Sequence, residues 1–397
     1  MSLSSAVSRQ GVSSLRAANV QSVLDTLRQS GPSSQAGLAR ATGLAPATIT
    51  SIVRELRADG RVESHDLNRR ERVVSLPAQA GRFAAASIRA DSLRVLIADY
   101  ASGSRTLLTA PAPVEEDSDG PGALADLLHE SLERAGLSAT DLAGLAVSVQ
   151  GPVSRNTGAV ASWASNNLPA WRGIAVGDVL ADRLGLPVVV ENDANLAAVA
   201  EWTWGAGSGS DVFFYVLSST HIGGAILLDG EILHGADGLA GEIGHMVVDD
   251  SGPMCECGSR GCLSVFASQE SILRALRPHA EHSSIRDVVD AARDGDLPAR
   301  GLLFDVGRRM GRALADAGKL VAPDTMVLGG DLGRAGSMLL EGLRASIEVT
   351  SLRAVSPTVA FRPAELREDE VLLGGVAMLL RREGADASSM PRWLKGS

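Results

Sequence analysis

Gly238-Leu-Ala-Gly-Glu-Ile-Gly-His245 is followed, ten residues after its histidine, by Cys255-Glu-Cys257-Gly-Ser-Arg-Gly-Cys262. All 3 cysteines of the chain fall inside that second run. With His245 they offer one imidazole and three thiolates, the number and type of ligands in a closed tetrahedral zinc site. Cys255 and Cys257 sit on a tight turn, and Gly258 and Gly261 free the backbone to bring Cys262 back to the same ion. Two other uses of cysteine compete with this one, small buried hydrophobes and a disulfide. An odd count without a secretory signal speaks against a disulfide framework, and the clustering speaks against scatter through a core. The expectation is a structural Zn2+ held by His245, Cys255, Cys257 and Cys262. The loop from 246 to 262 is rich in Gly, Ser, Asp and Pro and has little to bury. A metal supplies the ordering free energy such a loop lacks. What it fixes in place is the segment before it, Glu242 and His245.

Together the two motifs resemble the signature of the ROK family (repressors, open reading frames and sugar kinases). The resemblance implies that His245 both ligates zinc and helps to bind a sugar. It also implies that Glu242 hydrogen-bonds sugar hydroxyls.

The chain has 397 residues, enough for two or three domains and a large core. Its N-terminus shows no apolar signal segment, and no uncharged run is long enough to span a membrane. Thiols used as metal ligands fit a reducing compartment, so a cytoplasmic protein is expected. Net charge is -10, but it is unevenly placed. Residues 1–80 hold ten arginines against six carboxylates, whereas the remainder holds 27 basic and 41 acidic residues. A small basic module fused to an acidic body is a pattern to examine for DNA binding.

Within 1–80, Val20, Val23, Leu24 and Leu27 have helical spacing, and Gly31-Pro32 ends that helix. Ser33 or Ser34 can cap a second, short helix carrying Leu38 and Ala39. Thr42-Gly43-Leu44 reads as a tight turn. Pro46 opens a third helix, on which Ile49, Ile52, Val53 and Leu56 repeat the spacing, and Asp59-Gly60 stops it. The opposite face shows Ala47, Thr48, Thr50, Ser51 and Arg54, groups suited to close entry into a major groove. Two short strands are expected at 61–63 and 72–76, with Asn68-Arg69-Arg70 at the hairpin tip. That is a winged helix-turn-helix whose Arg69 and Arg70 can reach phosphate or the minor groove of double-stranded DNA. The competing reading is a helical protein-interaction module with a solvated basic face. Segment 35–63 is similar to the corresponding segment of ROK repressors. Residues 77–81 read as a linker.

From 81 to 397, strands are expected at 83–88, 93–99, 107–109, 142–149 and 188–190, with helices after Leu124 and Leu196. Alternation of strands and helices favours a layered α/β fold. The resemblance sharpens this to two actin-like, ribonuclease-H-like lobes around a cleft, the ROK sugar-kinase fold. Gln150-Gly151 follows a strand end, where ligand loops belong. Ser165-Asn166-Asn167-Leu-Pro-Ala-Trp171 resembles a family stretch. Glu191-Asn192-Asp193-Ala194-Asn195 resembles the family's sugar-gripping turn, although Asn-Asp can also be a plain helix cap. The ligand-binding candidates are thus Gly151, Ser165, Asn192, Asp193, Glu242 and His245.

Departures from the pattern fall on the phosphate side. The family's Asp-x-Gly-x-Thr becomes Ser87-Ile-Arg89-Ala-Asp91. A glycine-rich loop becomes Ser219-Thr220-His221-Ile222-Gly223-Gly224, which weakens a nest of backbone N–H groups. Phosphoryl transfer depends on such positioning. The expected function is therefore not an enzyme. It is a DNA-binding transcriptional regulator, a repressor of carbohydrate-related genes that answers a sugar or sugar-derived effector and acts as a homodimer or higher homo-oligomer. Ser264 stands where the family usually places a further sugar-binding glutamate, which leaves the effector open. The alternatives are an ATP-dependent sugar kinase with an accessory DNA-binding domain, and a regulator that needs no ligand.

Overall fold

A computed structural model describes residues 16, 18–27, 30–68, 71–77, 80–99, 103–161, 167–335, 337–350, 359–366 and 369–383. The N-terminal part begins with helix α1 (18–27). It continues through β1 (Ser33–Ser34), α2 (Gln35–Thr42), α3 (Pro46–Ala58), β2 (Glu63–Asn68) and β3 (Glu71–Ser75). The apolar stripes of the three helices meet as the spacing predicts. Val23, Leu24 and Leu27, Leu38, and Ile49, Ile52, Val53 and Leu56 form one core with Val62 and Val74. Ser34 caps α2 by accepting the Gly37 N–H at 3.2 Å, Gly43 ends it in the left-handed region (φ 71°), and Pro46 opens α3.

The wing differs in detail from the expectation. Its first strand starts at Glu63, because the N–H groups of Arg61 and Val62 turn back to the Leu56 carbonyl and close the helix end. Its second strand runs Glu71–Ser75. Ser33–Ser34 adds a third strand, giving the order β1-β3-β2. A two-residue serine strand has no periodicity to betray it. Arg69 and Arg70 lie outside the described residues.

The body repeats one topology twice. The first half contains β4 (Arg82–Ile88), β5 (Ser92–Asp99), β6 (Ser104–Pro111), α4 (Gly120–Ala135), β7 (Gly144–Val149), α5 (Val176–Leu184), β8 (Val188–Asn192) and α6 (Asp193–Trp204). The second contains β9 (Val212–Ser218), β10 (Ile222–Leu228), β11 (Glu231–Ile232), α7 (Ser264–Ala267), α8 (Gln269–Leu276), α9 (Ile285–Arg293), α10 (Leu297–Val321), β12 (Thr325–Gly329), α11 (Gly330–Gly333), α12 (Ser337–Thr350), β13 (Ala360–Pro363) and α13 (Glu370–Arg382). The sheet orders are β6-β5-β4-β7-β8 and β11-β10-β9-β12-β13. In each, the central strand pairs antiparallel with the next strand in sequence and parallel with the later one. This is the two-lobed ribonuclease-H-like arrangement.

Both sheets are covered on two faces, so their strands read as continuous apolar runs rather than as alternation. On β4, Phe83 and Ala85 face one core while Ala84, Ala86 and Ile88 face another. Helices α6 and α13 lie between the sheets. Their small residues pack with Phe83, Ala85 and Ala146 on one side and Phe213, Tyr215 and Val327 on the other. α4 and α5 cover the outside of the first sheet, and α9, α10 and α12 the outside of the second. No helix among the described residues is long and apolar enough to cross a membrane.

Candidate functional site

The cleft between the lobes is lined from the first by Gln150, Gly151, Asn167, Asn192 and Asp193, and from the second by Ser219, His221, Glu242, His245, Glu256 and Ser264. Five of the six ligand-binding candidates are described, and all five meet here. Ser165 lies outside the described residues. Strand ends supply most of the wall, because β7 leads into Gln150-Gly151 and β8 leads into Asn192.

The Asn-Asp turn is a helix cap and a cleft wall at once. Asn192 Oδ1 accepts the N–H groups of Ala194 (2.9 Å) and Asn195 (3.3 Å), and Nδ2 donates to the Gly151 carbonyl at 3.0 Å. Its oxygen is thus consumed by the cap, and the residue braces the loop at Gly151 (φ 105°). Asp193, first in α6, faces the cleft. Burial pushes its carboxyl up to about 6, and Arg89, the Ala194 N–H and His221 pull it back only in part. Burial, and then the negative charge of Asp193, push Glu242 up to about 7. Two carboxyl groups with depressed acidity thus face the cleft, and each can accept a hydrogen bond from an O–H group.

Arg89, at the end of β4, crosses the cleft. Its Nη2 donates to Thr220 Oγ1 at 3.2 Å, and its Nε lies 3.5 Å from Asp91. The Arg89 side chain thus joins the two lobes. Ser264 Oγ donates to the Gly244 carbonyl at 2.9 Å. It therefore presents only lone pairs to a ligand, where a carboxylate would bring charge.

Beside the cleft, one ligand atom from each of His245, Cys255, Cys257 and Cys262 lies within 4.8 Å of the others. Cys257 Sγ and Cys262 Sγ are 3.7 Å apart, and Cys255 Sγ is 3.6 Å from His245 Nδ1. A disulfide needs about 2.05 Å. Four ligands at about 2.3 Å around a tetrahedral ion stand about 3.8 Å apart, so the cluster fits a metal ion and not a disulfide. Gly261 (φ 68°) passes so close to Asp249 that no Cβ fits there. The sulfur cage therefore depends on glycine at that bend. With a metal on Nδ1, His245 presents Nε2–H towards Glu242, whose Oε2 is 3.8 Å away.

On α3, Ala47, Ser51 and Arg54 lie opposite the buried Ile49, Ile52, Val53 and Leu56, with Thr48 and Thr50 at the flanks. Thr50 Oγ1 lies 2.9 Å from Gln35 Oε1 and 3.0 Å from the Pro46 carbonyl, so its proton is held within the module. Arg16 donates to Ser51 Oγ at 3.5 Å and pairs with Glu55. Arg54 is exposed on the open face.

Several residues in or near the cleft escaped the site list read from sequence, among them Gln150, Glu256 and His234. Gln150 is a polar residue ending an apolar strand, a signal that was present. Glu256 is hidden by the two cysteines that flank it. His234 joins the lobes through Nε2 to Glu191 Oε2 at 2.6 Å, and no sequence pattern pairs these two.

Residues 112–382 match the family model described as ROK family, and residues 18–63 match one described as winged helix-turn-helix DNA-binding. A glucokinase of Halalkalibacterium halodurans is 32% identical over 278 residues, which cover 66% of this chain and 83% of that protein. A xylose repressor of Bacillus spizizenii is 27% identical over 370 residues, 90% of this chain and 93% of that one. A solved structure of a ROK family transcriptional regulator, a homologue of the Escherichia coli Mlc protein, superposes with a TM-score of 0.73 at 26% identity. It spans 94% of this chain and 98% of that one. The chain belongs to the ROK family, and carries ahead of its ROK body the winged helix-turn-helix of that family's transcriptional regulators.

Proposed function

We propose that this chain is a sugar-responsive repressor and not a sugar kinase. A DNA-binding domain at 1–80 is governed by an effector-binding and dimerising domain at 81–397, working in the cytoplasm as at least a homodimer. The observation that carries this reading is the divided state of the cleft. Asp193, Glu242 and His245 line the cleft together, while Arg89, on the turn where the family resemblance places a kinase's phosphate loop, ties the two lobes together through Thr220. The reach of the likenesses supports it too. The similarity to the glucokinase covers 66% of the chain, and that to the xylose repressor covers 90%. Zn2+ is the metal this His/Cys set favours. Asp193, Glu242 and His245 bind the effector's hydroxyls, braced by Gly151 and Asn192, and Ser165 is a further ligand contact. Ala47, Thr48, Thr50, Ser51 and Arg54 enter the major groove, and Arg69 and Arg70 hold phosphate. Effector binding shifts DNA affinity by its preference for one lobe arrangement over another.

The test is recovery of genomic fragments bound to the purified chain, repeated with a panel of sugars, beside an ADP-release assay with the same sugars and ATP/Mg2+. Selective recovery that one sugar abolishes supports the proposal. Turnover that Asp193→Asn removes overturns it in favour of a kinase.

Two outcomes follow from named side chains. Arg54→Ala weakens binding to the recovered operator about 10- to 100-fold and leaves binding to scrambled DNA nearly unchanged, as expected when a base contact is lost. Fluorescence anisotropy on the two duplexes checks this, and equal loss on both would deny Arg54 a base-reading role. The second concerns pH. Asp193 must be ionised to accept a hydroxyl with full strength, and its carboxyl titrates at about 6. Glu242, which titrates at about 7, adds an earlier step of the same sign, so sugar affinity is flat only above pH about 8 and falls as pH drops through about 7 and then about 6. Calorimetry across that range reads the fall, and Asp193→Asn removes its lower step.

A further inference from the structure

Three carboxyl groups line the cleft. Asp193 and Glu242 form its floor, and Glu256 joins them from the second lobe. Glu256 is exposed and has no hydrogen-bond or ion-pair partner among the described residues. Its backbone is held on both sides, because Cys255 and Cys257 belong to the four-ligand cluster. Against these three carboxyl groups stand two imidazoles, His221 and His245. The arginine whose charge acts on Asp193, Arg89, is engaged with Thr220 and Asp91.

A second observation points to a ligand at the same place. Gln150 is 6% exposed. Its Oε1 accepts the Ala90 N–H at 3.1 Å, which fixes the amide with Nε2 on the other side. That Nε2 is buried without a partner and belongs to the cleft wall. A buried donor left unpaired is costly, and a ligand oxygen in the cleft would supply the acceptor it lacks. One neutral donor does not offset a phosphate, which carries about −1.5 to −2 charges at neutral pH.

Resting on the sugar-sensing reading above, we propose that Glu256 is the residue by which this cleft selects an unphosphorylated sugar over its phosphate ester. The neutral sugar donates its hydroxyl hydrogens to Asp193, Glu242 and Glu256 and accepts from Gln150 Nε2. The phosphate ester meets the unpaired Glu256 carboxylate and is repelled. Selection thus comes as much from excluding one ligand as from holding the other.

The experiment is calorimetry with matched probes: D-glucose against D-glucose 6-phosphate, and N-acetylglucosamine against its 6-phosphate. It is run on the zinc-loaded chain and on Glu256→Gln and Glu256→Lys. In the unmodified chain the neutral member of the binding pair is tighter by at least about tenfold. Glu256→Gln narrows that ratio, and Glu256→Lys narrows it further or inverts it. Zinc content and Tm, measured on the same samples, stay unchanged, which separates charge selection from damage to the loop. A phosphate ester that binds the unmodified chain as tightly as its parent sugar overturns the proposal. So does a ratio that Glu256→Lys leaves where it was. Silence with both pairs and with D-xylose overturns the sugar-sensing reading itself, and this proposal with it.

Discussion

The Cys262→Ser chain loses its metal, and with it the response to effector. Cys262 is fully buried and its sulfur lies 3.7 Å from that of Cys257. A serine hydroxyl is a poor substitute for a thiolate ligand. Structural zinc sites of this type bind with about 10–16 kcal/mol of apparent free energy at neutral pH, and much of that is spent on ordering the loop they close. The loop has backbone hydrogen bonds of its own, and the metal adds the tie that holds His245 to the three sulfurs. The Val248 N–H reaches the Gly261 carbonyl at 2.9 Å, and the Leu263 N–H reaches Met246 at 2.9 Å. Met254 and Val247 are exposed, whereas Val248 and Leu263 are buried in the core of the second lobe. Freed of the metal, His245 is no longer held with Nε2–H facing Glu242, and the cleft loses its one fixed imidazole donor. Glu256 loses its anchors in the same stroke. We expect zinc content to fall from one per chain to near zero, and sugar affinity to fall about 100-fold or more. DNA binding without effector survives, because the N-terminal module has its own core. Metal analysis, calorimetry and anisotropy on one preparation check the three parts. A variant that sheds zinc yet still releases operator on sugar addition would refute the clamp.

The cysteine spacing was legible because ligand type and number are written directly in the residues, and the sulfurs meet as that spacing implies. The helices of the N-terminal module were legible for a different reason. Each is amphipathic, so the buried positions Ile49, Ile52, Val53 and Leu56 recur with the helical period. Body strands such as β4 gave only an apolar run, because both faces are covered; the two-lobed fold came from family resemblance rather than from periodicity, and the strand orders came only with the structure. Asp193 was placed within the helix start only by structure. The helix was expected from Leu196, but Asn192 is its cap, and an Asn-Asp pair marks a cap and a ligand turn alike. The Arg89–Thr220 and Glu191–His234 bridges were not legible at all. Each joins residues far apart in sequence across the cleft, and no local pattern specifies a partner on another lobe.

Gly374→Ala is the change expected to cut the cleft off from the DNA-binding module. Helix α13 lies between α6 and the first sheet, and glycine allows that approach on both sides. A Cβ on Gly374 would stand 1.8 Å from the Leu196 carbonyl oxygen, a backbone atom of α6 that cannot swing away. A Cβ on Gly375 would stand 3.0 Å from the Ala146 methyl and 3.1 Å from that of Ala85, contacts that a small shift relieves. The first substitution must drive two buried helices apart, at a cost of about 3 kcal/mol, and the second costs about 1 kcal/mol or less. The separation matters because these helices run from one site to the other. α6 carries Asp193 at its first position, one turn from Leu196. α13 ends where Arg381 donates to the Gly230 carbonyl of the second lobe and sits over Trp202 of α6. The Glu383 carbonyl, one residue on, accepts from Arg61 of the DNA-binding module at 2.7 Å. A movement of Asp193 towards a bound sugar thus has a packed path to the winged helix, provided α6 and α13 stay in contact. In Gly374→Ala we expect a clearly lower Tm and an operator affinity that no longer changes with sugar, although the free chain still binds DNA. Gly375→Ala keeps most of the response and serves as the control. Thermal melts and operator titrations with and without sugar distinguish them, and a full sugar response in Gly374→Ala would exclude the α6–α13 contact as the route.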